Sequence, residues 1–188
     1  AFVANSLCGL LALLLAGSIL LYDALAKPHG FFGPLNMGVC RGLNLLLGIS
    51  ILGALPNWWF AFVPIIYIAA ITLISRGEVH GNNKKHIIFA GVLYTFVIFS
   101  VLGLMLGSER TLVWMLPFLA IFAIAIFRPL FKAYGDNSPG NIKKAVVAGV
   151  LSLILLDSAL AVGFSYWWIG ALMILLLPLS LGLSKLFA

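Results

Sequence analysis

Asp23, Lys27, His29, Asn36, Arg41 and Asn44 crowd into one stretch, Leu21 to Gly48, that is otherwise made of apolar residues. A second polar run, Ile74 to His86, holds Arg76, Glu78, His80, Lys84 and Lys85 among Gly77, Gly81, Asn82 and Asn83. Arg76, Lys84 and Lys85 are suitable partners for an anionic group. Glycines beside them permit close backbone approach. Arg41 is the sharpest of these residues. A cation in hydrocarbon costs several kcal/mol unless it is paired or hydrated, which makes it a functional candidate by default. The bland alternative is an arginine that snorkels to the headgroups. With a helix starting near Leu35, Arg41 lies about 9 Å along it. Asn44 follows at i+3 on the same face, so the two read as lining a polar pocket. Lys84 and Lys85 serve equally well as topology determinants, and Asn82 and Asn83 as caps for the next helix. Asp157 is the other charge within an apolar run. It lies about 20 Å along its helix from Lys144, at a depth unlike that of Arg41, and reads as a hydrogen-bonded structural residue.

The elements that must position these groups are apolar spans. Seven can be counted, at 2–21, 35–55, 58–75, 87–106, 111–127, 145–164 and 167–186. A helix needs about 20 apolar residues to cross the hydrocarbon core. Backbone polar groups in lipid must pair internally, which leaves helices or closed barrels, and continuous apolar runs without period-two alternation select helices. The chain is 63% apolar and 9% charged, with mean hydropathy +1.18. A soluble domain carries about 25% charged residues, so a soluble globule is excluded. The expected fold is an all-α polytopic membrane protein, a single transmembrane helical domain over residues 1–188.

Charge is segregated along this ladder. Of the 11 basic residues, all but Arg110 fall on one side: Lys27, Arg41, Arg76, Lys84, Lys85, Arg128, Lys132, Lys143, Lys144 and Lys185. The positive-inside rule makes that side cytoplasmic, with the chain starting outside and ending inside, as in a bacterial inner membrane. Trp58, Trp59, Trp114, Trp167 and Trp168 sit at the opposite ends of spans, where indoles favour the interface. Connections on the outer side are short (56–57, 107–110, 165–166), and those on the basic side longer and polar (23–34, 76–86, 128–144). Pro64, Pro117 and Pro178 are expected to kink their spans. The net charge of +6 is accounted for by topology rather than by nucleic acid. Cys8 and Cys40 lie at opposite ends of the membrane, against a disulfide, and no metal or redox motif of the CxxC or HExxH kind is present. No charge run or amphipathic tail points to a soluble protein partner.

At its two polar segments the chain resembles the UbiA superfamily of intramembrane prenyltransferases, most closely the divergent UbiA-like branch called EboC. The likeness rests on Tyr22, Asp23 and Lys27 at a helix end, Cys40-Arg41-Gly42 and Gly48, then Ser75-Arg76-Gly77-Glu78-Val79-His80-Gly81. The run AVVAGVLSLILL from Ala145 and the closing LPLSLGLSK extend it. The resemblance implies a UbiA-like bundle whose polar cap holds an isoprenoid diphosphate against Mg²⁺ while the hydrocarbon tail lies in a lateral channel. Departure of diphosphate then leaves an allylic cation that alkylates an acceptor, with cations and metal neutralising the leaving group. Lys27, Arg76, Glu78, His80 and Lys84 become candidates for the diphosphate, Asp23, Arg41 and Asn44 for the pocket, and Glu78 for the metal.

The chain departs from the family pattern in two ways. The first aspartate-rich motif is absent, as if about three N-terminal helices preceded this chain, and one helix is extra at the C-terminus. The second motif offers Arg76, Glu78 and His80 in place of aspartates, a poor hard-oxygen site for Mg²⁺. Direct anion binding by Arg76, and by His80 when protonated, is the alternative use of these positions. A non-catalytic lipid-binding relative is the second functional class, and a secondary transporter the third, although no inverted repeat supports it. Arg76→Ala is expected to weaken diphosphate binding; an unchanged affinity dismisses the anion role.

Overall fold

The computed structural model describes residues 1, 3–78, 81, 83–104 and 109–186. Among the described residues the regular elements are all helical: α1 (Ser6–Leu21), α2 (Phe32–Ile49), α3 (Phe62–Ser75), α4 (Lys84–Leu104), α5 (Glu109–Gly135), α6 (Pro139–Phe164), α7 (Trp167–Ile174) and α8 (Leu176–Leu186). Six stretches are long and apolar enough to cross a membrane: Ser6–Ala26, Phe32–Leu52, Trp58–Ser75, Lys84–Leu104, Leu112–Gly135 and Pro139–Phe164. The protein is therefore an all-α polytopic membrane protein. The seventh expected span is divided at Leu175 into α7 and α8. Pro178 explains the break, because it cannot donate to the Ile174 carbonyl four residues back and its ring crowds that carbonyl. Pro64 falls in the first turn of α3, where no intrahelical donor is needed, so the expected kink has no cause there. His80, Asn82 and the beginning of the expected 107–110 connection lie outside the described residues.

By its internal contacts the chain divides into two compact units, Ala1–Leu73 with Val92–Val97, and Ile74–Gly91 with Ile98–Ala188. In the first unit α1 and α2 form an antiparallel hairpin tied at both ends. Asn5 caps α1 by accepting the Cys8 N–H at 2.7 Å and donates to the Ser50 carbonyl at 2.8 Å. The Ser50 hydroxyl gives its one proton to the Leu47 carbonyl at 2.8 Å. The Cys8 thiol, 3.0 Å from Ser50 Oγ, is then the donor of that pair. At the other end Asn36 Nδ2 donates to the Ser18 carbonyl at 2.9 Å. The expected 23–34 connection is largely helical instead. Tyr22–Ala26 forms one wide π-helical turn, closed by the Lys27 N–H on the Tyr22 carbonyl at 3.0 Å, and only residues 27–31 link it to α2.

Gly38 and Gly42, four residues apart on one face of α2, admit α3. A Cβ on Gly38 would meet the Ile65 backbone oxygen, and one on Gly42 would stand 2.5 Å from the Ile65 side chain. This is the small-xxx-small packing that replaces hydrophobic drive between helices in lipid. Tyr67 and Tyr94 meet at a tilt of 39° with centroids 5.3 Å apart, both fully buried.

In the second unit α5 and α6 pack along one another most extensively. The buried side of α5 is Met115, Leu119, Phe122, Ile126, Leu130 and Ala133, recurring every three or four residues as a helix core face must. The buried residues of α6 mix Ile142, Leu155, Leu156 and Val162 with the small Ala145, Gly149, Ser152, Ala159 and Gly163, which let a neighbour approach closely. Gly170 lets α7 lie against Val162 and the Ser158 carbonyl of α6. The expected 128–144 loop is only the turn 136–138. Arginine and lysine are good helix formers and do not end a helix. The real punctuation is Gly135 at the end of α5 and Ser138-Pro139 at the start of α6. Trp114 and Trp167 stack at 6.2 Å at the opposite end, half-exposed as interfacial indoles are.

Gly38→Ala is expected to destabilise the protein by about 1–3 kcal/mol through overpacking. Gly48→Ala, with nothing within 4 Å of the new methyl, is expected to be neutral or slightly stabilising. Thermal unfolding of the two variants in detergent distinguishes these outcomes.

Candidate functional site

Two polar regions carry the sequence candidates, one in each unit. In the first unit, Asp23 lies exposed in the π-helical turn and Lys27 exposed just after it. A π-turn widens the helix by one residue, and such turns gather at functional positions. Beside it opens a groove of about 270 Å³ whose walls include Leu25, Phe32, Leu35 and Val39 and whose polar members are His29 and Asn36. Lys27 stands in sequence between two of the lining residues, Ala26 and His29. Arg41 is half-buried and Asn44 exposed on α2. Because α2 begins at Phe32, a turn before the expected Leu35, Arg41 lies about 13 Å along the helix rather than about 9 Å. Pro34 permits that earlier start, since a first-turn position needs no N–H. Neither Arg41 nor Asn44 lines the groove. His29 and Asn36 do, and they carried no assigned role in the sequence reading.

In the second unit, the polar connection after α3 is organised by Asn83, which is buried. Its side chain donates to the Ile74 carbonyl at 3.1 Å, as a second donor beside the Gly77 N–H at 3.1 Å. Its backbone N–H donates to Asn137 Oδ1 at 2.6 Å, and Asn137 Nδ2 reaches the Ala133 carbonyl at 3.2 Å. The end of α3, the start of α4 and the end of α5 are thus joined through two asparagines. Gly77 and Gly81 serve this knot. A Cβ on Gly77 would stand 2.5 Å from the Asn83 side chain, and one on Gly81, at φ +68°, would stand 2.8 Å from the Asn137 carbonyl. The close approach expected of these glycines is an approach of protein to protein.

Arg76 is exposed and Glu78 half-buried at the rim of this knot. Lys84 Nζ sits 5.5 Å from the Tyr134 ring centroid, a cation–π contact worth about 0.5–1 kcal/mol at an exposed site. Mg²⁺ asks for octahedral oxygen donors led by carboxylates. Glu78 follows a guanidinium by two residues, and among the described residues no group of three or more His, Cys, Asp or Glu side chains is placed to hold a metal. The described donors do not fit Mg²⁺. What they offer is cationic: Arg76 and Lys84 above a rigid, hydrogen-bonded turn.

No protein-family model, curated protein or solved structure matches the chain. The site therefore stands on its own geometry.

Asn83→Ala is expected to cost about 1 kcal/mol through loss of its buried hydrogen bond to the Ile74 carbonyl, which keeps the Gly77 N–H. Lys85→Gln, at an exposed position, is expected to leave stability unchanged. Hydrogen exchange at the end of α3 reports the difference locally.

Proposed function

We propose that this chain is a UbiA-like intramembrane prenyltransferase, which transfers the prenyl group of an isoprenoid diphosphate to an acceptor at the basic side of a bacterial inner membrane. In this reading the polar connections and the C-terminus face the cytoplasm. The observation that carries it is the groove of the first unit, apolar along its walls and polar at His29 and Asn36, next to the turn that presents Lys27. A hydrocarbon tail gains little by leaving lipid for such a groove, because the two are equally apolar. The groove selects shape, and affinity must come from the charged head.

The chemistry follows from that division. The C–O bond to the diphosphate breaks, its electron pair leaves with the diphosphate, and the allylic carbon becomes cationic. An electron-rich carbon of the acceptor takes that carbon and then loses a proton. Positive charge held near the leaving oxygen lowers the barrier to the first step. Lys27, in the connection beside the first-unit groove, carries charge of that sign. The apolar walls keep water from capturing the cation.

The donor set around Glu78 favours a second reading, a UbiA-like protein that binds a prenyl or related lipid without turnover, as a scaffold or carrier in envelope biosynthesis. Binding of a prenyl diphosphate to the protein in nanodiscs, with and without Mg²⁺, separates the two. Tight Mg²⁺-dependent binding that drops in Glu78→Gln, with release of diphosphate, supports the enzyme. Metal-independent binding lost in Lys27→Ala or Arg76→Ala supports the carrier. For either, Leu25→Trp and Leu35→Trp are expected to weaken prenyl diphosphate at least tenfold while leaving inorganic diphosphate unaffected. Wild-type affinity for the prenyl compound in both variants removes the groove from the proposal.

A further inference from the structure

A second groove, of about 270 Å³, opens in the second unit between α5 and α6, lined by Arg128, Pro129, Lys132, Asn141 and Lys144. Arg128 and Lys132 are four residues apart on α5, and Asn141 and Lys144 three apart on α6, so each pair shares one helix face. Three cations converge on one space although like charges at this spacing repel. Among the described residues the lining contains no carboxylate. The nearby Asp136 is engaged, its Oδ2 accepting from Asn141 Nδ2 at 2.6 Å and from Ser138 Oγ at 3.3 Å. Positive-inside topology accounts for basic residues at this end of the helices. It does not account for their convergence on a cavity.

The groove is built before any ligand arrives. The turn 136–138 is held by Asn141 Nδ2 on the Asp136 carbonyl at 3.2 Å and by the Asn83 and Asn137 bonds. Pro129, inside α5, cannot donate to the Ala125 carbonyl, which loosens the helix at the groove. Asn141 spends both amide hydrogens on Asp136 and so serves to fix the groove's wall.

Depth selects the ligand. Counted from Trp114 at the aromatic end, Lys132 lies about 27 Å along α5, and counted from Phe164, Lys144 lies about 30 Å along α6. The hydrocarbon core is about 30 Å thick. The groove therefore sits at the boundary between acyl chains and headgroups, with Arg128 one turn deeper. Toward the hydrocarbon, exposed apolar residues continue the same helix faces: Ile124 and Ile121 on α5 below Arg128, and Val147 on α6 below Lys144. Cations at phosphate depth above an apolar stripe match a phospholipid, and basic pockets between membrane helices are known to hold anionic headgroups.

We infer that the α5–α6 groove is a binding site for the phosphate of an anionic phospholipid, whose acyl chains lie along Ile121, Ile124 and Val147. Arg128 and Lys144 clamp the phosphodiester from the two helices, and Lys132 adds charge at the outer edge. The occupied groove fastens α5 to α6 at the end where three cations otherwise repel.

The test is native mass spectrometry of the full chain released from nanodiscs of equal phosphatidylcholine and phosphatidylglycerol. Wild type is expected to retain phosphatidylglycerol at least fivefold over phosphatidylcholine. The R128Q/K144Q double variant is expected to lose that preference, while K85Q/K143Q, with the same net charge but outside the groove, keeps it. Equal preference in the two variants shows that the cations act only on topology and overturns the inference. Complete displacement of the lipid by 10 mM inorganic phosphate makes the occupant a free anion and overturns the lipid assignment. A photoreactive phosphatidylglycerol analogue on the unaltered protein requires no substitution to fold. Labelling of the peptides around Arg128 and Lys144 supports the site, and labelling confined elsewhere refutes it.

Discussion

Every backbone amide and carbonyl that this chain places in hydrocarbon must find its partner within the protein. Helices meet the demand along their lengths, and the rest of the structure is determined by how their ends and interruptions meet it. Short polar side chains, mostly asparagine amides, do so at several of these places. Asn5 and Ser50 close one end of the α1–α2 hairpin, and Asn36 the other. Asn83 and Asn137 join three helix ends in the second unit, and Asn141 braces the α5–α6 turn. Asparagine suits this task because one side chain both donates and accepts, carries no charge to desolvate, and is short enough to fix geometry.

Between helices the second constraint is distance. Lipid tails are as apolar as leucine, so helices gain little from burying leucine against one another. Close approach has to supply the attraction through dispersion, which requires small residues. Gly38 and Gly42 on α2, the buried Ala, Gly and Ser residues of α6, and Gly170 on α7 supply it. Large side chains accordingly point outward, where lipid covers them: Phe96, Phe99, Ile124 and Phe131 are all more than half exposed. An exposed phenylalanine here is solvated by lipid and carries no implication of a partner protein.

Polar residues left over after these structural uses are few, and they are where function is sought. Gly77 and Gly81 look in the sequence like room for an anion, but packing against Asn83 and Asn137 consumes them. His29 and Asn36 look secondary beside Arg41, yet they are the polar members of the first-unit groove. Arg128, Lys132 and Lys144 look like loop charges, yet two long helices bring them to one cavity. In each case the chemistry of the side chain was visible and its use was not. Use depends on which helix end a residue faces, and a few residues' error in a helix boundary changes the answer.

Composition and hydrophobic run length by themselves determined that the protein is helical and spans a membrane, because the cost of an unpaired backbone group in lipid leaves no other solution. The placement of tryptophan at one end of the spans was equally legible, since transfer of an indole to the interface depends on the residue and not on its neighbours. The turn at 136–138 and the break at Leu175 have local causes in Gly135, Pro139 and Pro178. Tertiary structure alone decided which helix faces meet, through contacts made by residues distant in the chain. Local propensity carries no record of such contacts, so the grooves they create become visible only once the helices have packed.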